Sequence, residues 1–118
     1  RVLLVEDGEE TRRGLAEMLA LLGCEVVAAA SGEEAMAGVA TADLVLTDHM
    51  LPGISGAELA RAALEQRPEL RVVVMSGYAA EEAVPRGDPR LRFLAKPFSV
   101  ETLAAELRAA LSPATPAA

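Results

Sequence analysis

Short apolar runs alternate with stretches of helical spacing along the chain, and this alternation limits the fold more than any other feature of the sequence. The runs are Val2–Val5, Val26–Ala30, Leu44–Thr47, Val72–Met75 and Phe93–Ala95. Each is too short for a stable helix and reads as a strand. Strands that alternate with helices form a parallel sheet, because each crossover must return the chain to the same edge, and such crossovers are right-handed. The first, third and fourth runs are continuously apolar, so they belong in the middle of the sheet with both faces covered. The second adjoins Glu25 and the fifth is flanked by Arg90 and Arg92, which suits edge strands. A doubly wound α/β sheet with strand order 2-1-3-4-5 meets all of these conditions.

The intervening segments carry helix signals. Leu15, Met18, Leu19 and Leu22 share one face of the first, and Gly23 is placed to end it. The second opens with Ser31 and has Glu34 three residues on, and the third repeats this capping-box pattern with Ser55 and Glu58. The third should bury Leu59, Ala62, Ala63 and Leu64 before Pro68. The last begins at Ser99 and sets Val100, Leu103, Ala104, Leu107 and Leu111 on one stripe. Glu and Arg on the first and third helices read as solvated faces with i,i+4 pairs. The segment after Tyr78 is weaker: Ala79–Val84 allows one or two turns, and Pro85, Gly87 and Pro89 then favour irregular chain. Pro113 and Pro116 mark residues 112–118 as an Ala/Pro-rich linker or terminal tail after a domain spanning residues 1–111. There is no internal repeat beyond the βα period.

A chain of 118 residues, 52% of them apolar, can bury one core without disulfides or metal staples. With only three aromatic residues, Leu, Val and Ala must fill that core. A net charge of −7 argues against nucleic acid or an anionic membrane as partner. No stretch free of Asp, Glu, Lys and Arg exceeds ten residues, too few to span a bilayer. The single cysteine, Cys24, excludes an internal disulfide framework and fits a reducing cytoplasm as a small apolar residue. No signal-peptide pattern is present. Of eleven basic residues ten are Arg, so the one lysine, Lys96, draws attention to its position.

In an open parallel sheet ligands bind beyond the carboxyl ends of the strands, at the switch point between the first and third. The first strand ends in Glu6-Asp7, the third in Thr47-Asp48, the fourth in Ser76-Gly77 and the fifth in Lys96-Pro97. Carboxylates packed together repel, and a hard divalent cation with oxygen ligands relieves the repulsion. An ammonium and a hydroxyl beside them imply a bound anion, for which phosphoryl is the best candidate. Lysine offers a compact point charge to a single oxygen, where arginine would bring a planar fork. Gly77 after Ser76 leaves room for backbone to approach a ligand.

These residues resemble the receiver domain of bacterial two-component response regulators, over Val2 to Leu111. The matching motifs are Val-Glu-Asp at 5–7, Asp48 with Pro52 and Gly56, Met-Ser-Gly at 75–77 and Lys-Pro-Phe at 96–98. The resemblance implies a flavodoxin-like fold and a phosphoacceptor at Asp48. It implies Mg2+ (or Mn2+) held by Asp7, Asp48 and the backbone carbonyl of Met50, with Glu6 acting through a metal-bound water. Ser76 and Lys96 would each hold a phosphoryl oxygen, and most of the catalysis would be positioning and charge neutralisation. The donor would be a phosphohistidine on a histidine kinase or histidine phosphotransfer domain, with a fused kinase or output domain as a further partner. Such a chain catalyses its own phosphorylation and dephosphorylation and is not a turnover enzyme in itself.

The resemblance also implies a switch. Phosphate on Asp48 would draw Ser76 inward, and the vacated space would admit Phe93, carrying the signal to the face formed by strand five and the helices on either side of it. Met50 and Tyr78, each two residues beyond a site residue, are large and would shield the phosphate from water. Pro52, Gly56 and Pro97 are structural, with a cis Lys96–Pro97 peptide expected. His49 reads as an exposed loop residue rather than a ligand. The stretch from Ser76 to Lys96 is short and Pro-rich for the family, so its helix should be short or irregular. The Met-Ser-Gly-Tyr and Phe-Leu-Ala-Lys-Pro-Phe wording resembles receivers fused to hybrid sensor histidine kinases. Two rivals stand beside this reading: a degenerate receiver that binds partners without phosphate, and a flavin or nucleotide enzyme on the same fold, for which no Gly-rich phosphate loop is present.

Overall fold

The computed structural model describes residues 1–76 and 90–111. In chain order the elements are β1 (Val2–Val5), α1 (Glu9–Leu21), β2 (Val26–Ala29), α2 (Gly32–Ala35) running into a 3-10 helix (Met36–Thr41), β3 (Leu44–Asp48), α3 (Gly56–Gln66), β4 (Arg71–Ser76), β5 (Leu91–Ala95) and α4 (Val100–Leu111). The five strands are parallel and ordered β2-β1-β3-β4-β5. The expected helix between Tyr78 and Pro89 and the tail at 112–118 lie outside the described residues.

Continuous apolar sequence puts β1, β3 and β4 in the centre, where every residue except Arg71 is buried. The alternation of side chains along each strand divides the core into two layers. Leu3, Val5, Val45, Val72 and Val74 face α2, the 3-10 helix and α3, meeting Val39, Leu59 and Ala63. Leu4, Leu44, Leu46, Val73, Met75 and Leu94 face α1 and α4, meeting Leu15, Leu19, Leu103 and Leu107.

Helix ends follow the sequence signals with instructive differences. Ser55 and Glu58 form the full capping box of α3, with bonds of 3.2 and 2.9 Å. Ser31 caps α2 by accepting the Glu34 N–H at 3.1 Å, but the Glu34 carboxylate turns to the Ala30 N–H instead of to Ser31, so only half of that box forms. Gly23 ends α1 region with φ of 89°, a left-handed conformation that glycine adopts without strain. On α3 it is Ala60 that is fully buried and Ala62 that is half-buried, because the helix is rotated toward the 3-10 segment. The α4 stripe is buried at Leu103 and Leu107, but Val100 and Leu111 at its two ends are exposed. Among the described residues no ion pair joins two residues of α1 or two of α3. Arginines reach backbone carbonyls instead: Arg67, at the end of α3, donates to Val39, Ala40 and Ala42 and so closes the end of the 3-10 helix.

Candidate functional site

The parallel arrangement brings the carboxyl ends of β1, β3, β4 and β5 to one edge of the sheet. Glu6 leaves β1 with its N–H donated to Ala29, which keeps its side chain at the sheet edge rather than in open loop. Glu6 is 5% exposed and Asp48 7% exposed, whereas Asp7 faces solvent. One carboxylate oxygen from each of Glu6, Asp7 and Asp48 lies within 4.8 Å of the others. Lys96, entering from β5, donates to Asp48 Oδ1 at 3.0 Å and stands 4.0 Å from Glu6 Oε1. Its backbone N–H donates to the Ser76 carbonyl at 2.8 Å, so the ends of β4 and β5 are tied together beneath the ammonium. Ser76 is 2% exposed at the end of β4.

Electrostatics here are unbalanced, with three carboxyl groups against one ammonium. Glu6 shows it most clearly. Oε2 accepts the Gly8 N–H at 3.0 Å, but Oε1 is buried with no hydrogen-bond partner among the described residues. Burial raises the Glu6 pKa above its ordinary 4.5; the Gly8 N–H opposes this, the Asp48 charge adds to it, and the Lys96 ammonium pulls back. A buried oxygen without a partner, beside two other carboxylates with one open to solvent, fits a hard divalent cation that keeps part of its water shell. Glu6, Asp7 and Asp48 are the side chains that could hold it.

The raised pKa has a measurable consequence. The native state holds the Glu6 proton more tightly than the unfolded chain does, so its contribution is stabilising below about pH 4.5 and is lost as pH rises toward the raised native value. Glu6→Gln should remove that slope and leave metal-free protein with a higher unfolding midpoint than the parent at neutral pH. Urea titrations from pH 4 to 8 in a chelator check this, and an unchanged slope would assign it to another group.

Other expected residues fall as follows. Phe93 lies in β5 opposite Val74 and is half-buried against the α2–α3 layer. The Met50 side chain is 74% exposed in the loop after Asp48, and Tyr78 and Gly77 lie outside the described residues. The Lys96–Pro97 peptide is cis. His49 is not the exposed loop residue expected. It is half-buried, its N–H continues the ladder to Met75 at 2.9 Å, and its Nδ1 is buried without a partner among the described residues. The ladder extends one residue past Asp48 and carries His49 with it. Arg12 was not singled out by sequence. From α1 it donates to the carbonyls of Glu6 at 3.0 Å and Asp7 at 3.5 Å, clamping the backbone of both acids. A side chain that binds backbone carbonyls leaves no residue pattern to find.

The model of the response regulator receiver domain matches residues 2–108 of this chain. The response regulator receiver protein CpdR of Brucella abortus is 36% identical over 111 residues, covering 91% of this chain and 92% of CpdR. The sensor kinase CckA of the same organism is also 36% identical, over 114 residues that cover 91% of this chain but only 12% of the kinase. The chain thus spans nearly all of one relative and about an eighth of the other. Among solved structures, the receiver domain of NtrX from Brucella abortus superposes with a TM-score of 0.81 at 30% identity, covering 96% of this chain and all of that domain.

Proposed function

Because the chain belongs to the response regulator receiver domain family, we propose that Asp48 accepts a phosphoryl group from a phosphohistidine in a reaction that depends on Mg2+, with Mn2+ able to replace it. The observation that carries this reading is the Lys96 ammonium bonded to Asp48 at 3.0 Å in a cluster with two further carboxylates, one Glu6 oxygen of which accepts no hydrogen bond among the described residues. Asp7, Asp48 and the Met50 carbonyl would hold the cation, with Glu6 acting through a metal-bound water. When bound, the cation supplies positive charge that lets an anionic carboxylate and an anionic phosphoryl group approach.

The chain's own residues do the rest. An Asp48 carboxylate oxygen attacks phosphorus, the P–N bond to the donor imidazole breaks, and the imidazole nitrogen leaves with the electron pair and takes up a proton. Lys96, now paired with Asp48, exchanges that carboxylate oxygen for a phosphoryl oxygen. Ser76 donates its hydroxyl to another. Hydrolysis later breaks the acyl phosphate and restores Asp48. Receiver domains partner with histidine kinases, and an apolar groove of about 470 Å3 beside Lys96, lined by Thr11, Gly14, Leu15, Met18 and Phe98, gives a donor domain a surface on which to rest. Movement of Ser76 toward the phosphate, followed by Phe93, carries the change to β5 and α4.

Incubation with a small phosphodonor in Mg2+ tests the reading. The intact mass should rise by one phosphoryl group, and beryllium fluoride should bind in its place. No mass change and no binding of the mimic would favour a receiver that works without phosphate. Met50→Asn combined with Tyr78→Asn should shorten the phosphate lifetime several-fold by admitting water; an unchanged lifetime, followed by the decay of the phosphorylated mass, would remove both from the shielding role.

A further inference from the structure

The loop between β3 and α3 carries Met50, so whatever fixes this loop fixes the position of the Met50 carbonyl. Its ends are pinned locally. The Gly56 N–H donates to the His49 carbonyl at 2.9 Å, and a Cβ on Gly56 would stand 2.3 Å from the Asp48 carbonyl oxygen, a separation only glycine permits. The middle of the loop is held from outside. Leu51 and Ile54 rest on the α2–α3 core layer, and Ile54 sits directly over Gly32, the first residue of α2. A Cβ on Gly32 would lie 2.4 Å from Ile54 Cγ1 and 2.6 Å from Cδ1. Next to it, Gly53 has φ of 77° and lies so close to the Glu33 carboxylate that a Cβ would be 2.6 Å from Oε2. Two consecutive residues of α2 therefore meet two consecutive residues of the loop.

The two contacts differ in stiffness. The Glu33 carboxylate is the end of a flexible side chain and can move aside. Ile54 is branched at Cβ, and its Cγ1, one bond beyond Cβ, leaves the Gly32 notch only by a change to a less favoured χ1 rotamer or by movement of the loop backbone. Gly32 is itself fixed, buried behind the Ser31 cap that accepts the Glu34 N–H.

We propose that Gly32 is a positioning residue for the metal site: the missing side chain seats Ile54, and the seated Ile54 holds the β3–α3 loop where the Met50 carbonyl can serve as a ligand. This rests on the reading that Mg2+ is bound by Asp7, Asp48 and Met50. Gly32 touches no reacting group and acts only through Ile54 and the loop.

Titration calorimetry of the chain with MgCl2, beside urea unfolding without metal, tests it. Gly32→Ala should weaken Mg2+ binding roughly tenfold, the scale seen when the support of a metal ligand is lost. Ile54→Ala should also weaken it, because the loop loses its seat. The double variant Gly32→Ala/Ile54→Ala should bind more tightly than Ile54→Ala alone, since the added methyl fills part of the vacated space. Leu107→Ala, in the opposite core layer, should lower stability and leave Mg2+ affinity unchanged. Parental affinity in Gly32→Ala, or a double variant no tighter than Ile54→Ala, would overturn the proposal. The second comparison decides it even if Gly32→Ala alone does not fold. A parent chain that takes up no Mg2+ would instead overturn the metal reading itself.

Discussion

Asp48→Asn is expected to abolish phosphorylation by a small phosphodonor while the chain stays folded. The carboxamide has nearly the shape of the carboxylate, and its oxygen can still accept the Lys96 hydrogen bond now made at 3.0 Å. It cannot act as the nucleophile, because the amide oxygen carries no full negative charge and the product would not be a stable acyl phosphate. Stability should not fall, since one of three mutually repelling carboxylates is neutralised in a nearly buried position. Mg2+ affinity should fall, because a neutral ligand replaces a charged one. Intact-mass measurement after incubation with donor and Mg2+ reads the first effect, and urea unfolding reads the second. Phosphate taken up by the variant at the parental rate would place the nucleophile elsewhere, with Asp7, the solvent-exposed acid of the cluster, the alternative to test.

Lys96→Arg is the second large effect, because it keeps the charge and changes only its shape. Lys96 reaches past the β5 end to place a compact ammonium 3.0 Å from Asp48 and 4.0 Å from Glu6, with its side chain 34% exposed. A guanidinium is broader and planar, and it prefers a two-point contact with one carboxylate. It would pair with Asp48 side-on and occupy the space a phosphoryl oxygen needs. A donor no longer aimed at the charge that develops in the transition state costs on the order of a hundredfold in rate, and phosphorylation of the variant should slow by about that factor with little change in unfolding midpoint. Full activity in Lys96→Arg would mean that any cation suffices at this strand end, and that the single lysine in the chain is accidental.

The two substitutions separate roles that the pocket combines. Asp48→Asn removes the bond-forming atom and keeps the contact with Lys96. Lys96→Arg keeps the nucleophile and disturbs the charge facing the incoming group. If Lys96→Arg leaves the beryllium fluoride complex on Asp48 intact, the anion is held mainly by the cation and by Ser76.

Much of the fold was legible because its signals are local. A run such as Val2–Val5 is a strand by its length and composition, and polar neighbours such as Glu25 and Arg92 mark the outer strands wherever they fold. Strand ends could be read for chemistry because a parallel sheet sends all its carboxyl ends to one edge. What could not be read was depth. Glu6 and Asp7 are adjacent acids, yet Glu6 is buried with an unpartnered oxygen and Asp7 is open to solvent. Alternation along the strand and the position of α1 decide that, not residue type. Ala60 rather than Ala62 faces the core, and His49 is drawn into the ladder, for the same reason: helix rotation and strand register are set by neighbours distant in sequence.

The sequence by itself determined the order of elements, the edge at which Glu6, Asp7, Asp48, Ser76 and Lys96 gather, and the chemical type of the site. Those follow from residue identity and local period. Only the tertiary structure decided which carboxylate pairs with Lys96, which oxygen is left without a partner, and that Gly32 receives Ile54. Each of these is a contact between segments that lie apart in the chain, and its distance depends on how two helices and a loop settle on a shared core.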